Sequence, residues 1–401
     1  MKIAAMTWKG SALSGTRASS GRESRDKGIS HARQEPRQEQ ERIKNSKRRT
    51  IMKKHASKLL CTLSISALFT PLALAQSVEA TLAHPHQNYG VQAAEAFKNH
   101  VEAATDGELT INLVRHGALG GDREITDQLR LGELEFNLPG AGGIASIFPH
   151  AQVHSWPFLF TERSVFWALP QDPEYMQLTR DELLDASGNT MRLLALMENS
   201  IRHLYTTRGP IRTPADMQEH AIKMRTQAVP LHQELFEALG AAQIVTVSAP
   251  ERYSALQSGL IDGLEGGLSS AWDAGLMEVA DYVSLTGHMY EYLWLVSNND
   301  FYESLPEAHR QAVDEAAIIA TATSNAISFQ DDNEALVLMA EAGKEIYVPT
   351  VDELRQWQDI AVPAARNFIE EEVPESYIEA TLAALERTEQ RIAGVKGSTT
   401  D

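Results

Sequence analysis

Thiols are nearly missing from this sequence: a single cysteine, Cys61, occurs in 401 residues. It lies within an apolar stretch near the start, so the chain beyond that stretch has no disulfide framework, no Cys nucleophile and no Cys-ligated metal. Basic charge is also scarce, with 36 Lys+Arg against 54 Asp+Glu and a formal net charge of -18. The shortage is uneven. Residues 1–75 hold 16 of the basic and 5 of the acidic residues, which leaves 20 basic and 49 acidic residues after Ala75. A surface that acidic argues against nucleic acid and anionic membrane, because phosphate binding requires clustered Lys and Arg. Enzyme signatures are absent as well. There is no GxSxG and no P-loop, and His232-Gln-Glu-Leu235 lacks the second His of a zinc-protease helix. No internal repeat of fixed short period is present.

One long apolar run does occur. Met52-Lys53-Lys54 precedes Leu59–Ala75, and Ala73-Leu74-Ala75 forms an A-x-A cleavage site before Gln76. This order of basic start, apolar stretch and small-residue site reads as a secretory signal peptide over 52–75. A transmembrane anchor is the alternative, but 17 residues containing Thr, Ser and Pro71 fall at the short limit of the roughly 17–25 needed to span a bilayer. Cys61 is far from the cleavage point, where a lipid-bearing cysteine would stand. Residues 1–51 are polar and lack apolar periodicity, which reads as disorder or as a start codon assigned too early.

The full sequence is 43% hydrophobic, enough for a large core and two domains. Short apolar runs alternate with amphipathic stretches, the pattern of an α/β fold with mainly parallel pairing. Strands are expected at 78–83, 109–113 and 135–138, with helices through 91–101 and 122–131. A second series follows, with strands at 192–196, 222–224, 244–247 and 263–264 and helices at 228–239 and 249–258. Two lobes result, with the break near Glu198. The Ala-rich stretch from Pro306 to about Val348 reads as one or two long helices able to cross both lobes. The expected division is 76–199 with 291–330 as lobe I and 200–290 with 331–401 as lobe II.

Few residues carry chemistry. Gly140-Ala-Gly-Gly-Ile-Ala145 resembles part of a dinucleotide-binding loop, but no acidic residue stands about 20 positions later and a close-packed turn fits better. His84-Pro85-His86 could supply two metal ligands, yet no further ligand cluster accompanies it; a polar loop is the simpler reading. Glu370-Glu371-Glu372 and Glu375 read as a solvated face. What stands out is a concentration of Arg202, Arg208, Arg212 and Arg225 around strand ends in an acidic chain. A guanidinium matches a carboxylate with two parallel hydrogen bonds and stays charged at any accessible pH. An isolated Arg, however, often pairs with a surface acid instead.

The segments Ile211-Arg-Thr-Pro-Ala-Asp216, Ile222-Lys-Met-Arg225, Glu251-Arg-Tyr-Ser-Ala-Leu-Gln-Ser-Gly259 and Ile261-Asp-Gly-Leu-Glu265 together resemble the DctP-type solute-binding proteins of TRAP transporters. Gly117-Ala-Leu-Gly120 through Gly132, Trp156-Pro-Phe-Leu-Phe160, Glu278–Tyr282 with His288, and Leu305-Pro306 extend the match over most of 78–330. The resemblance implies a two-lobed periplasmic binding protein with crossing strands, a long helix and a ligand cleft between lobes. It implies that Arg225 bonds the ligand carboxylate, with Arg202 in support. Glu265, Tyr292, His84 and Trp294 complete the ligand-binding candidates, and aromatic rings there would suit an apolar or cationic ligand body. One departure bears on specificity: where the family often continues with an Asn that touches the carboxylate, this chain has Gly266 and Gly267. No catalytic residue, metal or cofactor is expected. The implied function is periplasmic capture of a C4-dicarboxylate, sugar acid, keto acid or ectoine-like zwitterion, delivered to TRAP membrane subunits without stable membrane insertion. A ligand-sensing subunit for a membrane receptor, or a periplasmic α/β enzyme, is the alternative.

Overall fold

A computed structural model describes residues 77–398; the expectations for 1–51, the signal peptide and its cleavage point before Gln76 lie outside them. Apolar residues alternate with polar ones along the first strand, β1 (Val78–His84), and bury Ala80, Leu82 and Ala83. Eight further strands follow among the described residues: β2 (Leu109–Arg115), β3 (Phe136–Asn137), β4 (Met191–Thr206), β5 (Lys223–Thr226), β6 (Gln243–Thr246), β7 (Gly263–Gly266), β8 (Tyr282–Asn298) and β9 (Glu345–Tyr347). They form one sheet in the order β2-β1-β3-β8-β4-β7-β5-β6, with β9 on β8.

Pairing is parallel within each half of the sheet. β1 pairs with β2 and β3 on one side, and β5 with β6 and β7 on the other. The two halves are joined by β4 and β8, antiparallel neighbours in register from Met191 opposite Asn298 to Thr206 opposite Tyr282. Each therefore serves both lobes. The polar run Glu198-Asn199-Ser200, which reads as an inter-lobe break, sits inside β4 because flanking apolar residues on both sides are paired and buried. Register shifts at Leu193/Ala195, Glu198/Ser200 and Arg202/Leu204 interrupt the ladder along this crossing, and each such bulge bends and twists the strand locally. β8 escapes sequence periodicity because Thr286, Gly287 and His288 break its apolar alternation.

Helix Asn88–Ala104 covers the first half-sheet with Ala93, Phe97 and Val101. The Ala-rich stretch forms one helix, Glu307–Glu341, of 35 residues. Its small side chains allow close approach. Val313, Ala316 and Ala320 pack in the core around β1, and Ala335 and Met339 pack in the core around Leu264 and Val283. The same helix thus spans both lobes. The glycines after β3 meet a steric demand: a Cβ on Gly143 would lie 2.8 Å from Pro139 and 2.9 Å from Thr126, which is a packing requirement and gives no phosphate cradle.

Sequence organisation assigns 331–401 to the second lobe, and the packing divides these residues. Helix Val351–Glu372 puts Trp357 among Ile211, Met224 and Phe236, whereas its Ile369 and the following helix, Glu375–Ser398, pack through Tyr377 and Leu385 on Phe166 and Tyr175. Trp357 is fully buried and its Nε1 donates to the Arg212 carbonyl at 2.9 Å. Trp357→Ala should destabilise the fold by about 3–5 kcal/mol, read as a lowered midpoint in urea unfolding; a change below 1 kcal/mol would contradict this packing.

Candidate functional site

Between the two halves of the sheet lies a cavity of about 340 Å³. Its walls come from the loop after β1, the turn before helix Asp122–Arg130, the middle of β4, the ends of β5 and β6, and the segment after β7. These are mostly strand ends and helix starts, where side chains leave the sheet. The cavity brings together two of the six candidates, Arg225 and Arg202.

Arg225 follows Ile222-Lys223-Met224 near the end of β5 and is buried at the cavity wall. Its Nε and Nη2 donate to the Val247 carbonyl at 3.0 and 2.7 Å. Among the described residues no carboxylate pairs with it. Burial, then the neighbouring Arg252 and Arg202 charges, push its pKa well below the ordinary guanidinium value, yet a guanidinium starts so high that it remains charged. The two bonds to one carbonyl fix the plane of the group and leave Nη1 for a ligand.

Arg202 is placed differently. From the middle of β4 it bonds both carboxylate oxygens and the carbonyl of Glu265 on β7, and a carboxylate oxygen of Glu291 on β8. Its charge is neutralised within the protein. Glu265 is fully buried behind it and does not reach the cavity; its geometry is that of a partner orienting Arg202. His232 stands between the two acids, Nδ1 at 3.4 Å from Glu265 and Nε2 at 3.2 Å from Glu291, and burial lowers its pKa. Gln227 donates to both Glu291 oxygens at 3.2 Å. Burial raises the Glu291 pKa, but the Arg202 charge and the His232 contact outweigh it and hold the carboxyl at about 2.

The other candidates point elsewhere. Tyr292 stacks on Phe166 at 4.0 Å between ring centroids and donates its hydroxyl to the Phe166 carbonyl at 2.6 Å. Trp294 packs with Phe148 and His154 in the same core. His84 is buried with Nδ1 2.9 Å from the Pro85 carbonyl, while the following Pro85 and His86 line the cavity. Arg208 pairs with Asp262 at 2.9 Å, and Arg212 lies over the Tyr347 ring, both away from the cavity. Strand alternation separates these cases: Tyr292 and Trp294 share one face of β8, and that face turns into the first core.

Sequence reasoning missed several cavity residues. Asn199 accepts from the Tyr89 hydroxyl at 2.8 Å, Gln87 donates to Ser270 at 3.1 Å, and His116 is 3.2 Å from Asp122. Arg252 also lines the cavity. Its signal was present inside the Glu251-Arg-Tyr segment, as an Arg opening a helix in a chain poor in basic residues. Gly267 has a clear steric role, since a Cβ there would sit 2.4 Å from that of Ser200. Among the described residues, no group of three or more His, Cys, Asp or Glu is placed to hold a metal ion, and no helix is long and apolar enough to cross a membrane.

An α/β molecule whose two lobes share crossing strands, with a cavity between them and buried guanidinium groups in its wall, has the build of a two-lobed solute-binding protein. Residues 80–372 match the model of the bacterial extracellular solute-binding protein family 7, DctP, and the chain belongs to this family, the substrate-binding proteins of TRAP transporters. The ectoine-binding periplasmic protein TeaA of Halomonas elongata is 32% identical over 65% of this chain and 76% of its own length. The 2,3-diketo-L-gulonate-binding periplasmic protein YiaO of Escherichia coli is 29% identical over 63% of this chain and 75% of its own length. A TRAP periplasmic solute-binding protein of Chromohalobacter salexigens, solved with bound D-glucuronate, superposes with a TM-score of 0.70 at 26% identity, covering 78% of this chain and 100% of that one.

The ion cluster sets an acid limit on stability. The Glu291 carboxyl is held near 2, below its ordinary value of 4.5, so its stabilising contribution is complete above about pH 4.5 and is lost as the pH falls toward 2. Glu291→Gln leaves Arg202 short of one buried partner and should cost about 3–5 kcal/mol at pH 7. The gap between variant and wild type should narrow by pH 3, measured by urea unfolding at both values. A gap that is constant with pH would rule out the charge pairing as its source.

Proposed function

We propose that this chain is the periplasmic capture component of a TRAP transporter, which encloses a small carboxylate-bearing solute between its lobes and presents it to the membrane subunits. Its chemistry is binding and lobe closure, with no bond made or broken. The observation that carries this reading is Arg225: a buried guanidinium in the cavity wall, held by one carbonyl and lacking an acid partner among the described residues. An unpaired buried charge is costly, and an anionic ligand removes that cost. A first lobe of 76–199 with 291–330 and a second built on 200–290 supply opposite walls in this reading. Relatives named for ectoine and diketogulonate, and the glucuronate-bound structure, support a small acid as the ligand class, and the relatives' periplasmic location supports export of this chain. Pairing with Glu265 and Glu291 takes Arg202 out of direct salt bridging to the ligand, so in this reading it supports the cavity floor and leaves the carboxylate to Arg225.

Arg225→Ala should weaken binding of the carboxylate ligand by about 2–5 kcal/mol, because the ligand charge is left buried and unpaired. Arg225→Lys should also bind poorly, since an ammonium keeps the charge and loses the planar fork. Arg208→Ala, outside the cavity, serves as the control. Calorimetry on variants whose circular dichroism matches wild type supplies the test, with small-angle scattering to register compaction on saturation. Near wild-type affinity in folded Arg225→Ala sinks the anchor assignment.

A further inference from the structure

Two of the helices beside the cavity carry no cap of their own. Helix Asn88–Ala104 starts after Gln87, whose side chain makes no cap bond, and has no acid in its first turn. Helix Pro230–Ala238 starts after Val229, which has no polar side chain, and also lacks an acid in its first turn. The start of a helix leaves backbone N–H groups without partners inside the helix. Both starts follow loops that line the cavity, through Gln87 on one side and Ala228 on the other.

The opposite lobe supplies what each start lacks. The Asn88 backbone N–H donates to Asp273, while the Gln87 and Asn88 side chains donate to Ser270 at 3.1 Å and to Asp331 at 3.0 Å. Helix Asn88–Ala104 packs in the core around β1, whereas helix Leu268–Asp273 buries Leu268 and Ala271 in the core around Leu264. Asp273 is the last residue of its own helix, where a negative charge is unfavourable, and it meets the start of the other helix, where a negative charge is favourable. Burial and then Asp331 raise its pKa, and the Asn88 N–H acts against them. The second helix repeats the arrangement in the other direction. Its Leu231 N–H donates at 3.0 Å to Oε1 of Gln152, a buried side chain in the turn Pro149–Ser155 of the first lobe. Leu235 and Phe236 of that helix belong to the core around Met224, but Val229 and Leu231 reach the core of Phe148 and Trp294.

We propose that these reciprocal caps form an inter-lobe latch, in which Asp273 and Gln152 each complete a helix start of the opposite lobe and thereby favour the lobe arrangement that encloses the cavity. Gln87 and Ser270 both line the cavity, so their contact crosses the cleft. Separation of the lobes breaks these contacts together, because each pair joins residues anchored in different cores. The latch goes beyond the capture reading and its test needs no ligand.

The test uses the full chain with Cys61→Ser, which removes its only thiol, and spin labels on Leu131→Cys and Leu260→Cys, two exposed positions on opposite lobes. Pulsed electron resonance on the ligand-free protein then reads the populations of inter-lobe distance. The labelled parent should show a population at the separation found in the structure. Asp273→Ala should lower the ratio of that population to the others about fivefold, the factor that one helix cap is worth, and Gln152→Met, which keeps the side-chain volume, should act in the same direction. Gln87→Ser gives the first helix a neutral cap of its own and deletes the Ser270 contact, so its melting temperature should match or exceed that of the parent while the ratio falls. Gln87→Ser combined with Asp273→Ala should lower the ratio further. Return of the parent ratio in the combined variant marks Asp273 as support for a single helix and overturns the latch. An unchanged ratio in Asp273→Ala, or a parent without the expected population, overturns it as well. Each of these results leaves anion capture at Arg225 to its own calorimetric test.

Discussion

Three strands meet beneath the cleft at one charge cluster. Arg202 on β4 is bonded to Glu265 on β7 and Glu291 on β8, and each acid without the arginine would be an uncompensated charge in a dry interior. Such a cluster is weak evidence for stability in itself, because desolvation offsets much of the attraction. Its consequence is positional. A hydrophobic trio could fill the volume with the strands slid relative to one another, whereas a planar fork accepts its carboxylates in one geometry. The end of β7 and the middle of β8 are thereby tied to β4, and the bare Gly266-Gly267 turn is held against Ser200. The cavity floor depends on that arrangement.

With Arg202 neutralised inside the protein, the remaining guanidinium groups define the electrostatics that a ligand meets. Arg225 and Arg252 are held by carbonyls and a hydroxyl, groups that orient a cation without cancelling it. A shallow, wet cleft would screen such charges to little effect. Burial makes them costly in the empty protein and correspondingly favourable toward an anion, so affinity is obtained by withholding acidic partners in a chain that has 49 acids after residue 75 to offer.

Much of the architecture was legible in the sequence because the parallel strands and their covering helices carry strong local signals. The runs at 78–84, 109–115 and 223–226, the helix at 88–104 and the long Ala-rich helix all lie where apolar spacing places them. The crossing strands were not legible by the same means: β4 and β8 are buried on both faces and polar in the middle, so alternation fails where they pass the cleft. For the cavity, Arg225 and Arg202 were singled out among the arginines near strand ends and by the family resemblance, and both line it, whereas Arg252 was not singled out because a single helical Arg looks like a surface residue until folding shows which way it faces. Tyr292, Trp294 and Glu265 are the reverse case, singled out in the sequence but not lining the cavity. They lie close to the cleft in sequence context, but the pleat of β7 and β8 directs them into core or onto Arg202.

In the capture reading the two lobes close on the ligand, and the sheet is least regular where β4 and β8 cross between them. Two register shifts place an extra residue on β4, at Leu194 and Asn199, and a third, between Arg202 and Leu204, places extra residues on β8; ladder bonds are interrupted there and bending disturbs the fewest. The long helix faces the middle bulge with a polar patch in an otherwise apolar stripe. Asn325 accepts from the Glu198 backbone N–H at 2.8 Å, and Ser324 and Ser328 donate to the Glu198 carbonyl and carboxylate at 3.1 Å. Arg163 adds a contact to Glu198 at 3.1 Å and to Asp332 at 3.0 Å, and Asp332 in turn accepts from Ser269 beside the cavity. Burial pushes the Glu198 carboxyl up to about 7 in spite of Arg163. Short polar side chains tolerate small changes of angle while keeping a partner, which interlocked apolar side chains do not. The bend point is therefore polar for the same reason the cores are apolar: packing fixes what must stay rigid, and hydrogen bonds guide what must turn.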